Sequence, residues 1–211
     1  MIKNDAIGND NRDLFLKNGI CTINMISSPG AGKTTLLENS LAHFTSRFKT
    51  AIIEGDLYTS KDAERLARYK IPLFQINTEG GCHLDAKMIH QALKDLSLEE
   101  IELLIIENVG NLVCPAAFDL GEGMRVLLYS VTEGADKPEK YETMFKSAQV
   151  VVINKCDLAE PCNIDLDELE KTVRKVNPTC KIFQLSATKP ETLTPWLEWM
   201  EKDIRRLGHR T

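Results

Sequence analysis

The chain has 211 residues, within the ~250 at which a single core usually divides, so one domain spanning residues 1–211 is expected. Hydrophobic residues make up 43% of it, which excludes intrinsic disorder. Lysine and arginine number 26 against 31 acids, and the net charge of −5 excludes a broadly basic nucleic-acid binder. The longest aliphatic runs, residues 103–106 and 150–153, fall far short of the ~20 residues a membrane helix needs. The polar start, Met1-Ile2-Lys3-Asn4-Asp5, lacks a signal peptide's apolar stretch. A cytoplasmic protein with no membrane and no nucleic-acid partner is the expectation.

Residues 1–10 are polar and read as a flexible, frayed opening, followed by a short helix over 11–18. Strands are then expected at 20–26, 50–54, 73–76, 103–107, 126–131, 149–153 and 181–185. Helices are expected near 33–46, 60–69, 84–95, 138–146, 166–176 and 192–207. Several strands are continuously apolar rather than alternating, as when helices cover both faces of a parallel sheet. The strand–helix alternation predicts an α/β fold: a mostly parallel, doubly wound sheet. Trp196 and Trp199, three apart on the last helix, read as a seal against that sheet.

Ser27-Ser28-Pro29-Gly30-Ala31-Gly32-Lys33-Thr34-Thr35 follows the first strand and opens the next helix. It fits the phosphate-loop pattern G-x-x-x-x-G-K-[ST] with Ser27 in the first glycine's place, which predicts a P-loop NTPase. Gly30 and Gly32 let the backbone curl its N–H groups inward, and the helix dipole adds positive potential at the same anion. Lys33 would reach the β- and γ-phosphates, Thr34 would coordinate Mg²⁺ and Thr35 would donate to the α-phosphate.

The base is specified further along. Asn154-Lys155-Cys156-Asp157 matches the N-K-x-D guanine clamp at a strand end. The Asp157 carboxylate can accept from guanine N1–H and the 2-amino group, a donor pair adenine lacks. Asn154 would bond the other edge of the base and the Lys155 stem would cover the ring. Ser186-Ala187-Thr188 resembles the backbone loop that reads guanine O6. Two acids complete the site: Asp56, at the end of the second strand, and Glu107, in Glu107-Asn108-Val109-Gly110 where small GTPases carry D-x-x-G. Either would serve Mg²⁺ or the attacking water, and Gly110 would sense the γ-phosphate. Asn111 stands where small GTPases place a water-orienting glutamine, so slow intrinsic hydrolysis is expected.

Six cysteines, with no C-x-x-C pair, argue against a disulfide framework in a reducing compartment. Cys82 and His83 adjoin, and Cys114 lies four residues beyond Gly110. Thiolate and imidazole suit Zn²⁺ or Ni²⁺ rather than Mg²⁺; the alternative is a buried thiol and a helix-start histidine. Three donors leave one position for water or a second chain, and a two-fold dimer could share ligands. Because Cys114 follows the γ-phosphate glycine, nucleotide state and metal affinity would be linked. Cys21, Cys156, Cys162 and Cys180 read as structural.

The phosphate loop, Glu54-Gly55-Asp56, Gly81-Cys82-His83-Leu84-Asp85-Ala86, the stretch from Ile106 to Ala116 ending Leu112-Val113-Cys114-Pro115-Ala116, the stretch from Ser130 to Pro138 ending Asp136-Lys137-Pro138, the guanine clamp and Ser186-Ala187-Thr188 together resemble the HypB family. These are GTPases that assist nickel insertion during [NiFe]-hydrogenase maturation. The resemblance runs from about residue 11 to the C-terminus, and it implies the signal-recognition and MinD-like (SIMIBI) branch of P-loop NTPases. It further implies a homodimer favoured by GTP and metal, nickel or zinc at Cys82, His83 and Cys114, a HypA-like metallochaperone partner and a hydrogenase large-subunit precursor as client. Lys137 would contact the nucleotide or the partner subunit. The first ten residues hold no Cys or His, so the N-terminal nickel motif and histidine tract of some members have no counterpart there. The urease nickel chaperone's Cys-Pro-His motif is also lacking, since Ala116 follows Cys114-Pro115. A related GTPase serving another metalloenzyme, such as a cobalamin-enzyme chaperone, is an alternative that a partner-binding assay separates. A small-molecule kinase and a non-catalytic nucleotide-binding module are others, which GTP-dependent phosphate release separates from a GTPase.

Overall fold

The computed structural model describes residues 2–56, 69–78 and 80–208; the Asp56 side chain also lies outside what is described. Seven strands form one all-parallel sheet: β1 (Cys21–Ser27), β2 (Thr50–Asp56), β3 (Leu73–Asn77), β4 (Leu103–Glu107), β5 (Met124–Ser130), β6 (Val150–Asn154) and β7 (Lys181–Gln184). Their order is β3-β2-β4-β1-β5-β6-β7. All seven expected strands are present, β4 with the expected bounds and the others with ends displaced by at most two residues.

The strands are apolar throughout because both faces are covered. Leu103 and Ile105 pack with α2 (Lys33–Thr45) and the last helix, α7 (Thr194–Gly208). Leu104 and Ile106, on the other face, pack with α1 (Ile2–Lys17) and α3 (Ala86–Ala92). The same alternation puts Val151 and Ile153 against α5 (Glu142–Ser147), which follows α4 (Lys137–Lys140), and α6 (Leu166–Val176). Trp196 is buried and donates Nε1–H to Ser40 Oγ at 3.1 Å, and Trp199 meets Phe183 edge-on. The tryptophan pair is therefore the seal its spacing indicated. The helix expected near 60–69 falls almost wholly on residues 57–68, outside the described residues.

The frayed opening is corrected. Residues 2–17 form one helix, and Gly8, Asn11 and Phe15 are its buried face. Gly8 is there for closeness: a Cβ would stand 2.8 Å from the Asp119 carbonyl oxygen. Asn11 is fully buried and donates to the Ala86 and Leu120 carbonyls at 2.9 and 3.1 Å, with its Oδ1 2.9 Å from His90 Nδ1. Arg12 pairs with Asp119 at 2.6 Å. Asn11→Ala strands two buried carbonyls, and we expect a loss of about 3 kcal/mol. A thermal melt would show Tm falling by roughly 6–12 °C; an unchanged Tm would mean this helix does not hold the domain.

Candidate functional site

The C-terminal ends of β1, β2 and β4 open into a cleft of about 470 Å³ lined by Ser27–Gly30, Gly32–Thr35, Glu54, Gly55, Glu107–Gly110 and Lys155. This is where a parallel sheet of this kind places its ligand. Gly30 and Gly32 take φ of 74° and 98°, as the curl of the loop requires. Ser27 has no positive φ, which is why serine can replace glycine there; its hydroxyl donates to the Ser28 carbonyl. Gly110 abuts the phosphate loop closely: a Cβ would stand 3.1 Å from Pro29 Cα.

Glu107 sits 3% exposed at the cleft floor. Its Oε1 accepts from the Thr34 hydroxyl at 2.6 Å and lies 3.5 Å from Lys33 Nζ. Its Oε2 is buried with no hydrogen-bond partner among the described residues. An orphaned carboxylate oxygen beside a threonine hydroxyl fits a hard, oxygen-seeking cation. Glu54, which the pattern of acids passed over, is Glu107's register partner on β2 and is also buried on the cleft wall. Asp56 is placed only as backbone, opposite Asn77 on β3.

The elements expected to read the base meet the phosphate loop through Asn154. Buried at the end of β6, it donates Nδ2–H to the Ala31 carbonyl at 2.8 Å and accepts at Oδ1 from the Ala187 amide at 2.8 Å. It fastens the phosphate loop to the Ser186–Thr188 loop, a bracing role beyond the base contact expected of it. Gly32 must be glycine beside it, since a Cβ would lie 2.5 Å from Nδ2. Lys155, at φ 60°, lays Nζ 2.8 Å from the Gly30 carbonyl. Asp157 is exposed, and Ser186 orients it: the Ser186 hydroxyl donates to Oδ1 at 2.5 Å and accepts from the Asp157 amide at 3.0 Å. That bond holds the Asp157 carboxyl below the usual carboxylate range, ionised and ready to accept. Ala187 is buried and Thr188 exposed.

Cys82, His83 and Cys114 converge. Their donor atoms lie within 4.8 Å of one another, in the one group of three such donors among the described residues. Cys82 Sγ is 3.5 Å from His83 Nδ1. Helix α3 begins at Ala86, where Asp85 caps it by accepting from the Met88 amide. Cys82 and His83 thus precede the helix rather than open it, in a turn free to face Cys114. His83 stacks on Phe118 with ring centroids 3.9 Å apart; nothing in the spacing signalled Phe118. Burial lowers the His83 pKa, which keeps the imidazole neutral and able to ligate. The neighbouring Cys114 thiol pushes Cys82 up, so a cation would have to displace the proton.

The remaining cysteines divide. Burial pushes the Cys21 and Cys156 thiols up to about 12 and about 11, so they are inert. Cys21 and Cys180 are buried, Cys156 is half-buried and Cys162 is exposed.

This geometry can be set beside known proteins. Residues 21–184 match the family described as CobW/HypB/UreG, nucleotide-binding domain. The hydrogenase maturation factor HypB of Escherichia coli K12 is 46% identical over 199 residues, covering 94% of this chain and 69% of that protein. The crystal structure of HypB from Helicobacter pylori in complex with nickel superposes with a TM-score of 0.90 at 42% identity, covering 97% of this chain and 96% of that one. HypB from Archaeoglobus fulgidus gives a TM-score of 0.90 at 35% identity, covering 97% and 100%. A phosphate loop, a guanine-clamp sequence and a Cys–His–Cys cluster on one parallel sheet, together with these likenesses, place the chain in the HypB family of CobW/HypB/UreG nucleotide-binding proteins.

Proposed function

We propose that this chain is a GTP-hydrolysing nickel metallochaperone acting in [NiFe]-hydrogenase maturation, with metal binding coupled to nucleotide state. The observation that carries this is the convergence of Cys82 and His83 with Cys114, which lies just beyond the Glu107–Gly110 segment of the cleft. Gly30, Ala31, Gly32, Lys33, Thr34 and Thr35 cradle the phosphates, and Gly110 faces the γ-phosphate. Asp157 and the Ser186–Thr188 loop select guanine, Lys155 covers its ring and Asn154 braces both loops. Thr34 and Glu107, with Asp56, would hold Mg²⁺, which supplies charge neutralisation for the β- and γ-phosphates. Lys33, resting near Glu107 in this structure, would move its charge onto the γ-phosphate; Glu107 and Asp56 would orient water.

Nickel is the cargo. Two thiolates and a neutral imidazole hold it at the surface, and the position they leave open lets it depart. Zinc suits the same donors and would compete. A second copy of the chain would close the site across a two-fold axis when GTP is bound, and hydrolysis would reset the pair. A HypA-like metallochaperone and a hydrogenase large-subunit precursor are the partners this cycle requires, in the cytoplasm. No helix among the described residues is long and apolar enough to cross a membrane.

Phosphate release from the purified chain with GTP and with ATP tests the nucleotide half. Turnover of GTP below about 10⁻² per second, with ATP left intact, is expected, because no arginine or glutamine is among the described residues that line the cleft and Asn111 stands at the water-orienting position. Equal use of both nucleotides would contradict it.

A further inference from the structure

The metal donors come from two separate arms: Cys82 and His83 from the turn before α3, Cys114 from the turn after β4. Both arms are fastened by side chains of one five-residue stretch, Glu107-Asn108-Val109-Gly110-Asn111. Asn108 is 1% exposed, and its Oδ1 accepts from the Leu84 amide at 3.1 Å and the Val109 amide at 2.9 Å. Its Nδ2 donates to Asn24 Oδ1 on β1 at 3.3 Å. Asn111 Oδ1 accepts from the Val113 amide at 2.8 Å and the Cys114 amide at 3.4 Å. Between the two asparagines, Gly110 abuts Pro29 of the phosphate loop. Leu84 is wedged from a second side as well, since a Cβ on Gly55 of the cleft would stand 2.8 Å from its side chain.

We infer that Asn108 and Asn111 are the positioning residues that carry nucleotide state to the metal donors, Asn108 setting the Cys82–His83 arm and Asn111 the Cys114 arm. This rests on the reading that nucleotide and metal binding are coupled. Each link runs from a side-chain oxygen to an arm's backbone amide, and Asn108 is tied to β1 while Asn111 follows Gly110, so a shift within residues 107–111 moves one arm relative to the other. Metal–ligand distances tolerate only about ±0.2 Å, so a displacement of a fraction of an ångström between the arms changes affinity. Asn111 has exchanged the water-orienting role of its position for a grip on the Cys114 turn.

The test measures the nickel Kd of the full chain with Mg·GDP and with a non-hydrolysable Mg·GTP analogue, and takes the ratio. Whatever happens to absolute affinity, Asn111→Ala and Asn108→Ala should each bring that ratio about fivefold closer to one, as loss of one linking hydrogen bond implies. Asn108→Asp, which keeps the acceptor for Leu84, should retain more of the wild-type ratio than Asn108→Ala. Asn111 is only half-buried and its truncation opens no core cavity, so it decides the matter if Asn108→Ala fails to fold. A wild-type ratio preserved in Asn111→Ala overturns the inference while leaving coupling intact. A ratio of one in the unaltered protein removes the coupling reading, and this inference with it.

Discussion

Asp157→Asn is expected to lower GTP affinity on the order of 10³-fold or more, and to raise affinity for xanthosine triphosphate. A site built to bond a donor pair rejects a ligand lacking it by on the order of 10⁴-fold, because polar groups that the bound base covers are left unpaired, and the converse mismatch is created here. The Asp157 carboxylate accepts twice, and Ser186 already fixes its orientation from behind at 2.5 Å. An asparagine offers one acceptor and one donor, which opposes guanine's 2-amino group but suits the carbonyl that xanthine carries at that carbon. The fold should be untouched, since Asp157 is exposed. Titration with labelled GTP and its xanthine counterpart checks the exchange; a variant that binds GTP as before would remove guanine selection from this residue.

Cys114→Ala should weaken nickel binding at least 100-fold. Losing a residue that merely orients a ligand costs 10- to 100-fold, and Cys114 is a donor itself in a site of only three. Two adjacent donors on one arm would remain, Cys82 and His83, with no second arm to close on the ion. Because Cys82 is raised above the usual thiol range by Cys114 in the unmetallated protein, removing Cys114 also removes that effect. The loss therefore reflects coordination and not a harder deprotonation. A competitive chelator titration measures it, and affinity within a few-fold of wild type would exclude Cys114 as a ligand.

Much of this was legible in the residues, and what was not has identifiable physical causes. The sheet could be read because strands buried on both faces leave unbroken apolar runs such as Leu103-Leu104-Ile105-Ile106. The phosphate loop and the guanine clamp could be read because each chemistry demands particular residues at fixed spacing. Helix α1 could not: its buried face holds Gly8 and Asn11, a close-approach glycine and a polar group that is buried only because two distant carbonyls need a donor. The start of α3 was placed early because the cap, Asp85, is a local hydrogen-bond feature that hydrophobic patterning does not register. The three metal donors were visible as residue types, but their supports were not. Asn108, Asn111 and Phe118 belong to loops, where an amide or an aromatic ring has many uses until the tertiary fold gives it one.

The claim on which the rest depends is that one segment of backbone answers to both ligands. Nickel titrated into the unaltered chain, once loaded with GDP and once with a GTP analogue, addresses it directly. Affinities that differ by about fivefold or more between the two forms are predicted, and nickel should change the ratio of GTP-analogue to GDP affinity by the same factor. Identical nickel affinity in both forms would contradict it, and would leave a guanine-nucleotide site and a metal site that share a fold but not a function.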